Sequence, residues 1–89
     1  MLELDWTTSF KKDMKKFKHD HDLIEALNTI IKKLVKSQPL PPQNRDHNLV
    51  GNWVDHRECH VKNDVLLVYR TDEKNLILVR FNSHSEIFN

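Results

Sequence analysis

The stretch Arg57-Glu58-Cys59-His60-Val61-Lys62-Asn63-Asp64, followed at once by Val65-Leu66-Leu67-Val68-Tyr69, constrains the fold more than any other. A polar, ionisable strand turns at Asn63 into a strand apolar enough to be covered on both faces. That is the pattern of a hairpin at the centre of a small sheet. Side chains capable of chemistry therefore stand on the most rigid part of the chain. Asp46-His47 upstream and Arg80 to His84 downstream are spaced so that a loop and a neighbouring strand can bring them to the same surface.

The elements around the hairpin follow from periodicity. Leu2, Leu4 and Trp6 alternate with Glu3 and Asp5, the period of a half-buried strand. Thr7, Thr8 or Ser9 can cap a helix whose apolar positions Phe10, Met14 and Phe17 form one narrow stripe, with lysines on the outward circumference. Asp22 and Glu25 have the form of a second helix start. Leu23, Ile24, Leu27, Ile30, Ile31, Leu34 and Val35 then keep helical spacing over more than three turns, enough to form the main layer over the sheet. The three prolines between Ser37 and Pro42 end that helix and open a loop to Asn52, where the only glycine, Gly51, marks a positive φ or a close backbone approach. Thr71 to Asn75 is a turn and Leu76 to Phe81 a last strand, with Ile77, Val79 and Phe81 expected toward the helices and Leu78, Arg80, Asn82 and His84 away from them. The order predicts an α+β domain, two N-terminal helices on one face of an antiparallel-rich sheet of about four strands.

Composition sets the limits. The 89 residues are expected to form one domain spanning 1–89, with a single modest core. One cysteine, Cys59, excludes an intramolecular disulfide, and no apolar run at the start suggests a signal peptide or membrane span, so a reducing, cytoplasmic setting without membrane contact is expected. Fourteen basic against thirteen acidic residues leave +1, but five lysines and one acid between Phe10 and Lys18 leave a local +4. Lys11, Lys12, Lys15 and Lys16 on that helix suit a phosphate-facing patch as well as an ordinary solvated face.

Three motifs occur in order: Asp46-His47-x-Leu49-x-Gly51-x-Trp53, Arg57-Glu58-x-His60-Val61-x-x-Asp64, and Arg80-x-x-Ser83-His84-Ser85-Glu86-Ile87-Phe88. Together they resemble a YafQ-type toxin of the RelE superfamily, the toxin half of a bacterial toxin–antitoxin pair, over nearly the whole chain. The resemblance implies a small endoribonuclease that cleaves messenger RNA on the translating ribosome and is neutralised by a cognate antitoxin. It also implies acid/base roles for His47, His60, Asp64 and His84, phosphate-facing roles for Arg57 and Arg80, and a place near the substrate base for Phe88.

These residue types suit cleavage by 2′-hydroxyl attack without metal or other cofactor. Such cleavage needs a base for the 2′-hydroxyl, cations for the phosphoryl oxygens and an acid for the departing 5′-oxygen. Histidine, with an unperturbed pKa of ~6.5, fits the proton steps, and arginine's planar fork fits the oxygens. His84, after a strand and near the C-terminus, is the expected acid. The base is open among His60, Asp64 and His47, and His47 can equally hold the phosphate. Glu58 shares a strand face with His60 and reads as a solvated residue, a partner of Arg80 or a catalytic carboxylate. Cys59 points the opposite way, into the core. Trp53 reads as a packing anchor or a stacking platform, and His19, His21 and His56 as surface residues.

Metal chemistry fits poorly, because His56 and His60 on one strand stand roughly 13 Å apart. The alternative to a nuclease is a non-catalytic RNA- or ribosome-binding inhibitor of translation, which needs the fold and the lysines but no proton-transfer groups.

Overall fold

In the computed structural model, which describes residues 1–88, Val65 to Tyr69 are all buried and their strand lies in the middle of a five-stranded sheet. The strands are β1 (Glu3–Trp6), β2 (His47–Asn48), β3 (Arg57–Lys62), β4 (Val65–Thr71) and β5 (Asn75–Ser83), in the order β1-β5-β4-β3-β2. β1 is parallel to β5 and the other pairings are antiparallel. The expected hairpin closes at Asn63, whose φ of 55° is the left-handed conformation asparagine tolerates. A fifth strand, the two-residue β2, comes from the loop expected before Asn52.

Helix α1 (Thr8–Phe17) starts where the Thr7 hydroxyl accepts from the Phe10 amide at 3.0 Å. Helix α2 (His21–Val35) starts two residues earlier than expected. Its cap is Asp20, whose carboxylate accepts from the Leu23 amide at 3.2 Å, rather than Asp22. α2 ends in a Schellman turn: the Gln38 amide donates to Lys33 O and the Ser37 amide to Leu34 O, with Ser37 at φ 56°. Leu23, Leu27, Ile30 and Leu34 are buried against the sheet, each stabilising by about 1.5–3 kcal/mol relative to exposure. The order β1, α1, α2, then hairpin and β5 puts both helices on one face, as expected.

The two faces carry different clusters. Cys59, Val65, Leu67, Tyr69, Leu76, Leu78 and Phe81 meet the helices. Leu66, Val68, Ile87, Leu49, Trp53, Val79 and Phe88 form a smaller cluster on the other side, built around α3 (His84–Phe88) and the loop before β3. That second face is therefore partly covered, not open as the alternation suggested. The parity expected for β5 also fails halfway. Val68 pairs with Arg80 but Tyr69 pairs with Leu78, leaving Val79 as a bulge residue. Leu78 consequently faces the helices and Val79 does not, whereas Phe81 inward and Arg80 and Asn82 outward match expectation. β1 is a strand, yet Leu4 and Trp6 stay 44% and 52% exposed because it is an edge strand. Gly51 has φ 69°, and a Cβ at this position would meet nothing within 4 Å, so the turn alone requires glycine there.

Candidate active site

One row of directly paired residues crosses the sheet on the face away from α1 and α2: His47 opposite Glu58, Glu58 opposite Val68, Val68 opposite Arg80. Neighbours in such a row are ~5 Å apart, and directly opposed residues point to the same side. The Glu58 carboxylate is buried at the row's centre and lies 3.4 Å from His47 Nε2. His47 Nδ1 is 2.6 Å from the Arg45 carbonyl, which can only accept, so Nδ1 carries a hydrogen. Among the described residues Glu58 is therefore the partner of His47, not of Arg80.

Above this pair lies a cleft of about 230 Å³ lined by His47, Leu49, Val50, Trp53, Glu58, His84 and Phe88. His84 reaches it as the first residue of α3 rather than as a continuation of the strand. Its ring lies 4.9 Å from that of Phe88, which stands edge-on to Trp53 at 5.4 Å, and Trp53 in turn meets His56 at 5.4 Å. Ile87 anchors the short helix in the second cluster. His56 is thereby a packing partner of Trp53, while His19, in the α1–α2 connection, and His21, the first residue of α2, are exposed.

Arg80 stands at the far end of the row, and its guanidinium is not free. Nε donates to Asp13 Oδ2 at 2.7 Å and Nη2 to Asp13 Oδ1 at 3.1 Å. Of its five N–H groups, the other three remain for a ligand. Asp13 also accepts from the Phe81 amide at 2.9 Å and from Asn82 Nδ2 at 3.1 Å. Burial pushes this carboxyl up, but Arg80, the Phe81 amide and Asn82 together hold it below the ordinary aspartate value. Lys16 Nζ lies 3.4 Å from Asn82 Oδ1, so one residue of the lysine helix borders this face. Asp13 was missed in the sequence, though an acid spaced with Phe10, Met14 and Phe17 on the apolar stripe is a readable anomaly.

The remaining expected residues do not all gather here. Arg57 pairs with Tyr69, a helix-side residue, and so lies on the opposite face of the sheet from Glu58 and Arg80. Its Nε donates to Asp46 at 3.1 Å, and the same Asp46 oxygen accepts from the Tyr69 hydroxyl at 2.6 Å. Arg57 therefore stands away from the cleft, on the other face of the sheet, and Asp46 is shared between Arg57 and Tyr69. His60 is half-buried on the cleft side, two residues and ~7 Å along β3 from Glu58. Asp64 is exposed in the hairpin turn, and among the described residues it makes no hydrogen bond or ion pair. Lys11, Lys12, Lys15 and Lys16 are all exposed on α1, but Lys11 borders an apolar groove with Trp6 on the other side of the helix from Asn82. Cys59 is fully buried, and burial pushes its thiol up to about 12, which excludes a nucleophile.

The family model describing the bacterial toxin of the type II toxin–antitoxin system, YafQ, matches residues 2–89. The chain belongs to the YafQ family. It is 29% identical over 87 residues to the mRNA interferase toxin YafQ of Escherichia coli (strain K12), covering 97% of this chain and 95% of that protein. A copper-bound mutant toxin from Helicobacter pylori is 46% identical and superposes with a TM-score of 0.93, covering 99% of this chain and 100% of that one. YafQ in the Escherichia coli DinJ–YafQ toxin–antitoxin complex is 28% identical with a TM-score of 0.86, covering 99% and 98%. The α+β fold of this YafQ-family chain is thus that of known toxins. Copper belongs to the Helicobacter pylori structure. Among the described residues here, no group of three or more His, Cys, Asp or Glu is placed to hold a metal ion.

Proposed function

We propose that this toxin is an endoribonuclease that cuts messenger RNA by metal-free acid/base catalysis at the cleft between His47, Glu58 and His84. As a member of the YafQ family it is the toxin of a type II toxin–antitoxin system, and its curated relatives are mRNA interferases. The observation that carries the mechanism is the shared cleft: a base-capable pair, an accessible imidazole and a stacking ring surround one space, with Arg80 in the same row. Glu58, oriented by His47, takes the proton of the 2′-hydroxyl. The 2′-oxygen then bonds to the adjacent phosphorus as the bond from phosphorus to the 5′-oxygen breaks, and His84 donates its proton to that oxygen. The products are a 2′,3′-cyclic phosphate and a 5′-hydroxyl. Arg80 donates to the phosphoryl oxygens, whose charge rises in the transition state. His60 lies beside the base pair as a further polar contact, Phe88 and Trp53 offer faces to a base, and Asp64 is too far along the hairpin to share the cleft.

The exposed lysines of α1 suit docking to ribosomal or message phosphates in the cytoplasm, and a cognate antitoxin, as DinJ is for YafQ in the Escherichia coli complex, is the protein partner. His84→Ala tests the reading. A positioned acid contributes ~10²- to 10⁴-fold, so message cleavage should fall by at least that lower figure while thermal stability stays close to the parent. His84→Gln should rescue nothing. Cleavage within about threefold of the parent would overturn the assignment, and arrest of translation by the parent without new 5′ ends would establish the non-catalytic inhibitor instead.

A further inference from the structure

We infer that Asp13 is a positioning residue for the cleavage reaction: it holds the Arg80 guanidinium in one orientation and acts only through it. This rests on the reading of Arg80 as the phosphate-facing cation. The Asp13 carboxylate is 7% exposed and receives four hydrogen bonds, two from the Nε and Nη2 edge of Arg80, one from the Phe81 amide and one from the Asn82 side chain. The backbone amide and Asn82 fix the carboxylate independently of Arg80, so the acid is a rigid template against which the long, flexible arginine is aligned. A bidentate pair of this kind sets the plane of the guanidinium as well as its place. The three unengaged N–H groups are those on the edges of the guanidinium that Asp13 does not occupy. Asp13 also cancels one charge at a site meant for a phosphate. A carboxylate weakens ground-state attraction for the polyanion, so its presence is explained by alignment that is realised in the transition state.

Two kinetic signatures follow. Asp13→Asn keeps the size but loses the charge and half of the bidentate match, so the maximal single-turnover rate on message should fall ~10- to 100-fold, in the range of a misplaced catalytic group. Half-saturating toxin concentration should stay level or drop, since one negative charge is gone. The second signature is non-additivity: in an Arg80→Ala background, Asp13→Asn should change the rate by less than about threefold, because the group it aligns is absent. The probe is a defined message on programmed ribosomes, with naked message as a second arm, each rate normalised to the folded fraction by circular dichroism.

An Asp13→Asn rate within threefold of the parent, or a loss that recurs in full on Arg80→Ala, overturns the inference and leaves Asp13 a structural residue. Arg80→Ala with parental activity would instead overturn the reading of Arg80 itself. Should Asp13→Asn not fold, Asp13→Glu keeps the charge and displaces the carboxylate by one methylene. A reduced rate, absent on Arg80→Ala, then supports the inference, and a parental rate overturns it.

Discussion

Arg57→Ala separates the two faces of the sheet and gives a number for each. Arg57 Nε donates to Asp46 at 3.1 Å and an Nη donates to Asn48 at 2.7 Å. The side chains of the ion pair are 36% and 22% exposed, so the attraction is screened and contributes about 0.5–1 kcal/mol. The hydrogen bond to exposed Asn48 adds about 0.5 kcal/mol. Asp46 keeps the Tyr69 hydroxyl at 2.6 Å and so is not left unpaired. The sum is about 1–1.5 kcal/mol, which in a domain of this size lowers Tm by ~5–12 °C. Because the guanidinium is on the helix side of β3, cleavage per folded molecule should stay within about threefold of the parent. Thermal denaturation and single-turnover cleavage below the variant's Tm measure the two effects. A rate loss above tenfold with little change in Tm would refute the placement and return Arg57 to the phosphate.

Two further outcomes follow from buried ionisable groups. Asp13 is held below its ordinary aspartate value of 3.8, so its contribution to stability is complete above that pH and is lost as pH falls through the lower folded value; urea melts between pH 5 and pH 2.5 should show a shallower acid loss in Asp13→Asn than in the parent, and equal slopes would count against the network. Cys59, with its thiol pushed up to about 12, has roughly one part in 10⁴ as thiolate at pH 8 and no exposure, so aromatic disulfide reagents should react only through unfolding, at less than about 1% of the rate of the denatured chain.

The apolar run Val65 to Tyr69 and the stripe of α2 were legible because each is a strong, uninterrupted pattern with one physical solution: burial on two faces, or on one. β5 was legible as a strand but not in its facing, because Leu76-Ile77-Leu78-Val79 is apolar at every position and carries no alternation to betray the bulge at Val79. Arg57 shows a different limit. The alternation that put Cys59 in the core also puts Arg57 on the core side, and the phosphate-facing role came from resemblance against that parity. Glu58 was placed on the correct face with Arg80 as the one partner considered, since its contact with His47 depends on the two-residue strand β2, which has too few residues for any periodic signal. His84 entered the cleft by an unforeseen route, at the head of a five-residue helix held by Ile87.

The position of Arg80 follows from how the edge of the sheet is finished. β1 stops pairing with β5 at Trp6 opposite Leu78, although β5 continues to Ser83. From there on, the β5 backbone needs other partners, because buried amides and carbonyls without them are costly. Thr7 supplies the first: its amide donates to Leu78 O at 3.0 Å and its hydroxyl to Val79 O at 2.7 Å. That same hydroxyl accepts from the Phe10 amide and so fixes where α1 begins. With the start of α1 set, Asp13 falls six residues after its cap, beside the Phe81 amide, and closes the edge with a side chain in place of a strand. A neutral acceptor would have satisfied that amide. A carboxylate satisfies it and in addition binds the neighbouring guanidinium, so the group that finishes the sheet edge also aims the cation of the cleft. The link between α1 and the chemistry therefore runs through main-chain pairing, and a change at Thr7 that shifts the helix start should move Arg80 without touching it.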